Sequence, residues 1–427
     1  MSEPANEDKK EPLGGEVAEE YSKKKIIAYY GLTVGLVILV VIIALIIAIK
    51  FDDPSAEETD SAKSNLFTST YTTENNKKIK LFDSKLKEFI DSMKIDGEKV
   101  ETTDEHAFEK NGEHKVEVTL KKELESLENL FKDCKNLTQV NLSEVKMAKV
   151  KSMAGMFSGC NFLKSLDLSN LLTSNVETMD GLFKECYSLA SINLTNVKTS
   201  NVKSMKNMFY ECHNLQSLDL SEFETKNVDN MEGMFYDCNA LGKLDLSKFD
   251  TSNVQTMSKM FEKCVTLSSI NMDNFDTSKV EDMSSMFASN SLLTSLDLSK
   301  FKTENVKNMN SMFSECLKLT QLDLKSFVTT ELVDMGHMFY NDRLSSLNLS
   351  TFDTSNVENM EEAFGKCENL KSLDITKFSS KKLKSKHNIF TDLPENGTLV
   401  YNSDLFEEEC LKGSNVENWD LQKVNEE

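Results

Sequence analysis

The amino-acid sequence predicts an α/β solenoid, a fold in which one short unit is repeated and stacked along an axis. Three observations point to it: a phenylalanine that recurs every 26 residues, a helix-like hydrophobic spacing in one half of each unit, and a strand-like alternation in the other. A fixed period of 20–29 residues is typical of leucine-rich repeats and predicts about ten to eleven turns here. The recurring residues are Phe131, Phe157, Phe183, Phe209, Phe235, Phe261, Phe287, Phe313 and Phe339, then Phe364 after 25 residues and Phe390 after 26 more.

The unit at residues 201–226 shows both halves. Between Val202 and Cys212 its apolar residues are spaced by three, three, one and three, which predicts one face of a short helix. Between Leu215 and Leu220 it reads L-x-x-L-x-L, the alternation of a half-buried strand. Because one turn cannot bury its apolar face alone, the copies stack, with a parallel sheet on one face and short helices on the other.

Thr-Ser-Asn segments separate many of the units, for example at Thr173, Thr251 and Thr354. Side chains of these types bond to nearby backbone groups, so we expect them to cap the helix that follows. The Asn that ends the segment recurs in six units and is expected to form a ladder that joins one turn to the next.

The phrase LxSLDLSxFDTSNVxxMxxMFxxC resembles the repeat of BspA-type leucine-rich repeat surface proteins. The resemblance covers about residues 124–401, and about ten copies carry the motif. It implies a leucine-rich repeat domain at the cell surface that serves adhesion or the binding of a protein or glycan. It names no ligand, because members of that family bind different partners.

An uncharged apolar run at residues 26–49 predicts a transmembrane signal-anchor helix. At 1.5 Å per residue it spans about 36 Å, enough to cross a hydrocarbon core of about 30 Å. Residues 1–25 end in a lysine triplet and are predicted to be a disordered cytoplasmic tail, which places the repeats outside the plasma membrane. Residues 51–78, rich in Ser, Thr and acidic side chains, are predicted to be a flexible stalk. The rival interpretation, a cleaved signal peptide, normally has a shorter run and a small-residue cleavage site.

Two segments flank the predicted solenoid of residues 121–401. Residues 79–120 are expected to form an N-terminal cap, with a short helix at about residues 84–93 and a strand at residues 114–120. The acidic segment 402–427 either folds over the far end or trails away from it. Caps are needed because a terminal turn has a neighbour on one side only.

The formal net charge of −21 argues against binding of nucleic acid and against docking on anionic lipid. It weakly favours cationic or calcium-bridged partners. No nucleophile beside a base, no phosphate-binding loop and no recurring histidine slot occurs, so we expect no enzymatic activity. No zinc-type cysteine spacing occurs either, and we expect no metal or cofactor.

The cysteines share one slot of the repeat, which predicts a ladder of small buried thiols. A ladder of disulfides is the alternative, because rungs about 5 Å apart lie within the range that a disulfide spans. Asn290 holds the slot in one copy, and Asn341-Asp342 holds it in the shortened copy. The cysteines in the slot are Cys134, Cys160, Cys186, Cys212, Cys238, Cys264, Cys316 and Cys367.

A polar slot between two leucines of the predicted strand holds Asp or Asn in every copy, and we expect it to form a stripe on the exposed face of the sheet. The alternative is an outward position that only needs a polar residue, with the carboxylate bonded to nearby backbone. The candidate ligand-binding residues in this slot are Asp219, Asp245, Asp297 and Asp323.

Glycosylation sequons occur in predicted loops at Asn136 and Asn396. The function that the sequence predicts is that of a single-pass surface protein whose extracellular repeats bind a protein or glycan. The alternative is a membrane-tethered scaffold or spacer without a specific external ligand.

Overall fold

The computed structural model describes residues 63–74 and 77–424. The predicted cytoplasmic tail, the apolar run at residues 26–49 and residues 51–62 of the predicted stalk lie outside the described residues. Within the described ranges, no helix has both the length and the apolar character that a membrane span requires.

The repeats form a β-solenoid of about ten coils, so the predicted stacking of 26-residue units is confirmed. The predicted α/β character is wrong, because the described residues contain only three short 3-10 helices: Ser84–Phe89, Glu408–Leu411 and Asn415–Asn418. The strands are β1 (Leu66–Thr73), β2 (Lys78–Lys80), β3 (Ile90–Ile95), β4 (Glu98–Val100), β5 (Glu105–Ala107), β6 (Gly112–Leu120), β7 (Leu137–Glu144), β8 (Ser165–Asp167), β9 (Ser191–Asn193), β10 (Lys243–Asp245), β11 (Ser269–Asn271), β12 (Ser346–Asn348), β13 (Ser372–Ile375), β14 (Thr398–Tyr401) and β15 (Asp420–Lys423).

The solenoid begins with a five-stranded sheet of order β4-β3-β6-β1-β7. Strand β1 pairs antiparallel with both β6 and β7, and its residues alternate between half-buried and buried. The stalk prediction is therefore wrong for Leu66–Thr73, a strand that buries Phe67, Ser69, Tyr71 and Thr73 on one face. The helix expected near residues 84–93 is a 3-10 helix followed by β3, and its N-cap is Asp83, whose Oδ1 accepts from the N–H of Lys85 at 2.9 Å. The strand expected at residues 114–120 is confirmed within β6.

The half of each coil that was predicted to be helical is a run of tight turns, called the turn face below (residues 204–212 in one coil). Alternate backbone N–H groups donate to carbonyl oxygens of the next coil. The N–H of Met205 donates to the Asn230 oxygen at 3.0 Å, and the N–H of Phe209 donates to the Met234 oxygen at 2.9 Å. The intervening groups bond locally, as the N–H of Met208 does to the oxygen of Met205. Every fourth residue, including Asn207 with φ 55, has a left-handed backbone that an α-helix excludes. The apolar spacing fits both structures, and inter-coil bonding decides between them.

The turn-face ladder is continuous. Ten parallel bridges link successive coils from Ser126↔Ser152 to Asn359↔Ser385 without a gap. Beneath it, the recurring phenylalanines from Phe131 to Phe390 are buried and stacked, with ring centroids 5.5–6.0 Å apart. The apolar core is therefore a column one side chain thick that runs the length of the solenoid.

Threonine and asparagine ladders join the coils at the corner before the turn face. The threonines are buried, and each hydroxyl donates to a carbonyl oxygen of the next coil at 2.8–3.2 Å. Thr251, for example, donates to the Asp276 oxygen and accepts from the Asp276 N–H. The threonines thus link coils and cap no helix. The asparagine ladder is confirmed: Asn201 donates to the Ser174 oxygen of the preceding coil at 2.7 Å, and five other asparagines repeat the bond.

Replacing Thr251 with valine should destabilise the solenoid by about 1–3 kcal/mol, because the carbonyl and the N–H of the half-buried Asp276 both lose their partner. Thr251→Ser keeps the hydroxyl and serves as the control. Urea unfolding followed by circular dichroism measures both variants, and equal stabilities would contradict the assigned role of the hydroxyl.

The far end of the solenoid is covered by the acidic segment 402–427. Its strand β15 pairs in parallel with β14, and the indole of Trp419 is buried and donates to the Pro394 oxygen at 2.9 Å. Of the two alternatives for this segment, folding over the end is the one that the structure shows for its described part, residues 402–424.

Candidate binding face

The side of the coils that carries the L-x-x-L-x-L segment is called the strand face below. It places Asp219, Asp245, Asp297 and Asp323 in one slot of the coils, with Asn271 in the coil between the two pairs, and all four aspartates are exposed. In each, the Oδ1 atom accepts the backbone N–H of the residue two positions later, at 3.0–3.1 Å. The alternative role, a carboxylate bonded to nearby backbone, is therefore present at every candidate position, and only one oxygen of each carboxylate is occupied by it.

The same hydrogen bonds set the charge of the stripe. Bonds from Ser221 and Ser299 lower the pKa of Asp219 and Asp297, and the N–H of Ser247 lowers the pKa of Asp245. These groups are ionised at neutral pH, and any stability they contribute is lost only in acid. Among the residues that the structure describes, no group of three or more His, Cys, Asp or Glu side chains could bind a metal ion.

Pairing on the strand face is interrupted, which the sequence analysis did not predict. Strand β8 pairs with β9, β10 pairs with β11, and β12 to β15 form one four-stranded sheet. At the coils of Asp219, Asp297 and Asp323 the described backbone makes no inter-coil hydrogen bond at this slot. The central leucine is only partly buried in these coils. In paired coils the central leucine is buried, whereas Ile192 and Ile270 at the same position are partly buried. Three of the four candidate residues therefore lie on unpaired coils.

One sequence feature accompanies pairing but does not suffice for it. Three of the parallel pairs combine one Asp with one Asn in the slot: Asp167 with Asn193, Asp245 with Asn271, and Asn348 with Asp374. Two adjacent Asp slots, such as those of Asp297 and Asp323, remain unpaired. Carboxylates directly opposite one another on neighbouring strands destabilise the pair, which accounts for these gaps. Repulsion does not account for the gaps where one Asp faces one Asn, and nothing in the structure explains them: Asn141 with Asp167, Asn193 with Asp219, Asn271 with Asp297, and Asp323 with Asn348.

Two clefts open where pairing is lost. One, of about 520 Å³, lies across three coils and is lined mainly by hydroxyl and amide side chains, with Asp323 at its centre. The other, of about 220 Å³, contains Asp297, Asn271 and Lys300 above the ring of Phe301. Together they place polar groups on four consecutive coils. The side chains lining the larger cleft include Thr294, Ser295, Thr320, Gln321, Ser346 and Asn348.

Phenylalanine rings on this side of the coils are also more widely spaced. Rings that follow the strand segment, Phe275 with Phe301 and Phe327 with Phe352, have centroids 6.4 and 6.2 Å apart, against 5.5–6.0 Å in the column beneath the turn face. With a complete ladder on one face and an interrupted one on the other, the strand face is the more open side of the stack. The flat sheet expected for this face is replaced by short paired segments separated by clefts.

The two sequons differ in accessibility. Asn396 is exposed in a bend, whereas Asn136 is half-buried and its side-chain amide donates to the Thr72 oxygen at 2.8 Å. The amide nitrogen of Asn136, the atom that glycosylation modifies, is therefore engaged with β1.

Comparison with protein-family models gives one match, described as "Mycoplasma protein of unknown function, DUF285". It matches overlapping segments at residues 103–197, 125–246, 190–271, 232–350, 266–378 and 321–424. The chain belongs to this family. The overlapping DUF285 matches cover every complete coil, and the family description names neither a ligand nor a leucine-rich repeat. The chain has no match among curated proteins.

Proposed function

We propose that this DUF285 protein is a surface-anchored binding protein whose strand face binds an extended, hydroxyl-rich ligand, a glycan. The observation that supports the proposal is the pair of clefts at Asp297 and Asp323. The apolar run at residues 26–49 supports anchoring in a membrane, with the coils outside.

The chemistry of the clefts suits a sugar chain. Ser, Thr, Gln and Asn side chains both donate and accept hydrogen bonds, as sugar hydroxyls do. At Asp297 and Asp323 the Oδ1 atom accepts a backbone N–H, and both side chains are exposed to solvent. Because the clefts repeat with the coils, a repetitive ligand can make several weak contacts in register.

Changing both Asp297 and Asp323 to Asn should weaken glycan binding about tenfold or more, because each loses a charge-assisted hydrogen bond of roughly 1.5–3 kcal/mol. The amide keeps an Oδ1 acceptor for the backbone, so the fold is retained. The matched control is Asp167→Asn with Asp374→Asn, in the same slot but on paired strands. Full-length protein in detergent is applied to an array of immobilised polysaccharides and extracellular matrix proteins.

The outcomes separate the alternatives. Binding to polysaccharides that only the cleft variant loses supports the proposal. Binding to matrix proteins alone replaces the glycan with a protein ligand, and no binding at all replaces the function with that of a spacer. Protease added to intact cells should remove the coils, and protected coils would contradict a surface location.

A further inference from the structure

The slot shared by the cysteines requires a hydrogen-bond donor. In seven coils the buried Cys Sγ donates to the carbonyl oxygen of the recurring Phe in the preceding coil, at 2.9–3.2 Å. Where Asn290 replaces the thiol, its Nδ2 donates to the corresponding oxygen, that of Phe261, at 2.9 Å. The chemistry of the donor changes, but the acceptor and the direction of the bond do not.

Asp342 occupies this slot in the coil that is one residue short. It is fully buried, and its Oδ1 accepts the N–H of Cys316 at 3.0 Å. Its Oδ2 has no partner, and no described side chain donates to the Phe313 oxygen, the acceptor that the register assigns to this slot. A carboxylate has no hydrogen to donate, so an ionised Asp342 leaves the ladder incomplete.

We propose that Asp342 is kept as a neutral carboxylic acid whose Oδ2–H donates to the Phe313 oxygen, and that loss of this proton at higher pH destabilises the solenoid at its shortened coil. The proposal concerns the stability of the stack and is independent of the ligand-binding proposal. Like Asn290, the protonated acid supplies a donor for the phenylalanine oxygen of the preceding coil, which is the bond that the slot shares from coil to coil.

The surroundings offer no compensating cation. The titratable groups facing Asp342 from the adjacent coils are the thiols of Cys316 and Cys367, with Glu315 beside the first. Arg343, next in the chain, is directed outward to Glu368 at 2.5 Å. Desolvation raises the pKa of the Asp342 carboxyl well above its ordinary value, and the Cys316 N–H offsets only part of that effect.

The direction of the pH effect follows from the raised pKa. An acid whose pKa is higher in the folded than in the unfolded state stabilises the fold fully below the unfolded value, near 4. Above that pH the unfolding equilibrium constant rises about tenfold per pH unit, until the folded-state pKa is reached. The exposed aspartates with lowered pKa values act only below this window.

Reciprocal substitutions test the proposal. Asp342→Asn should raise the free energy of unfolding at pH 7 and reduce its slope above pH 4, leaving only the slope from carboxyls such as Glu262, whose pKa burial also raises. Asn290→Asp should lower the free energy of unfolding and steepen the slope. Glu304→Gln, an exposed carboxylate in the same solenoid, is the control and should leave the profile unchanged. Full-length protein in non-ionic detergent is unfolded with urea between pH 4 and 8 and followed by circular dichroism.

Infrared spectroscopy gives a readout that does not depend on how the variants fold. At pH 6, about two units above the ordinary carboxyl pKa, wild-type protein should retain the carbonyl-stretch band of a protonated carboxylic acid, and Asp342→Asn should lose the intensity of one carboxyl group from it. A wild-type spectrum without the band at pH 6 would overturn the proposal. So would an Asp342→Asn variant that is less stable than wild type at pH 7.

Discussion

A chain that lacks residues 201–226 is expected to fold into a solenoid one coil shorter and to melt in a single transition close to that of the full-length protein. The deletion joins Ser200 to Asn227, and each donor then meets the equivalent acceptor one coil further on. The N–H of Met179, for example, would bond the Asn230 oxygen in place of the Ser204 oxygen. One nearest-neighbour interface is lost, and the remaining interfaces keep their contacts.

Deleting residues 201–213 is the matched comparison, because it removes the turn face of the coil and leaves its strand segment. Four N–H groups that bond across the coils then lose their acceptors, and at about 1–3 kcal/mol each the cost approaches the whole stability of an ordinary domain. The four belong to Met179, Gly181, Phe183 and Glu185. Circular dichroism during heating measures both deletions, and similar melting curves would show that coil register does not govern stability.

The second large effect is expected from Phe261→Ala. This ring is buried and stacks between Phe235 and Phe287 at 5.8 and 5.7 Å, so its loss opens a cavity that the two neighbouring rings cannot close. Truncation of a buried phenylalanine costs about 3–5 kcal/mol.

Phe162→Ala is the control for this substitution, since Phe162 is 50% exposed and should change the stability by less than about 0.5 kcal/mol. Urea unfolding of both variants at pH 6 gives the comparison. Equal losses for the buried and the exposed ring would mean that the phenylalanine column does not hold the coils together.

The period of the Phe column predicted the number of coils, their register and the burial of Met, Phe and Cys side chains, because these depend on which residues face inward. The helix was predicted wrongly because the spacing from Val202 to Cys212 describes a helix and a run of tight turns equally well. Only the next coil supplies the acceptor for the Phe209 N–H, and a local hydrophobic pattern contains no information about such a partner.

The candidate stripe was located correctly, but the clefts beside it were not predicted. Leu218 lies on an unpaired coil and Leu244 on a paired one, although both lie within the same L-D-L phrase. The order of Asp and Asn along the slot was the one signal in the sequence for where strand pairing is lost. It accounts only for the unpaired coils in which two Asp residues are adjacent. The protonation of Asp342 could not be inferred before the buried acceptor at Phe313 was known.

The uneven bonding of the two faces has a mechanical consequence. Spreading the turn face at any coil breaks a row of backbone hydrogen bonds, whereas spreading the strand face at the coils of Asp219, Asp297 and Asp323 breaks none at that slot. The bending stiffness of the rod therefore depends on direction, and it yields most easily by curving toward the turn face. A force applied across the solenoid axis would therefore bend the stack reversibly at these unpaired coils, and no coil need unfold.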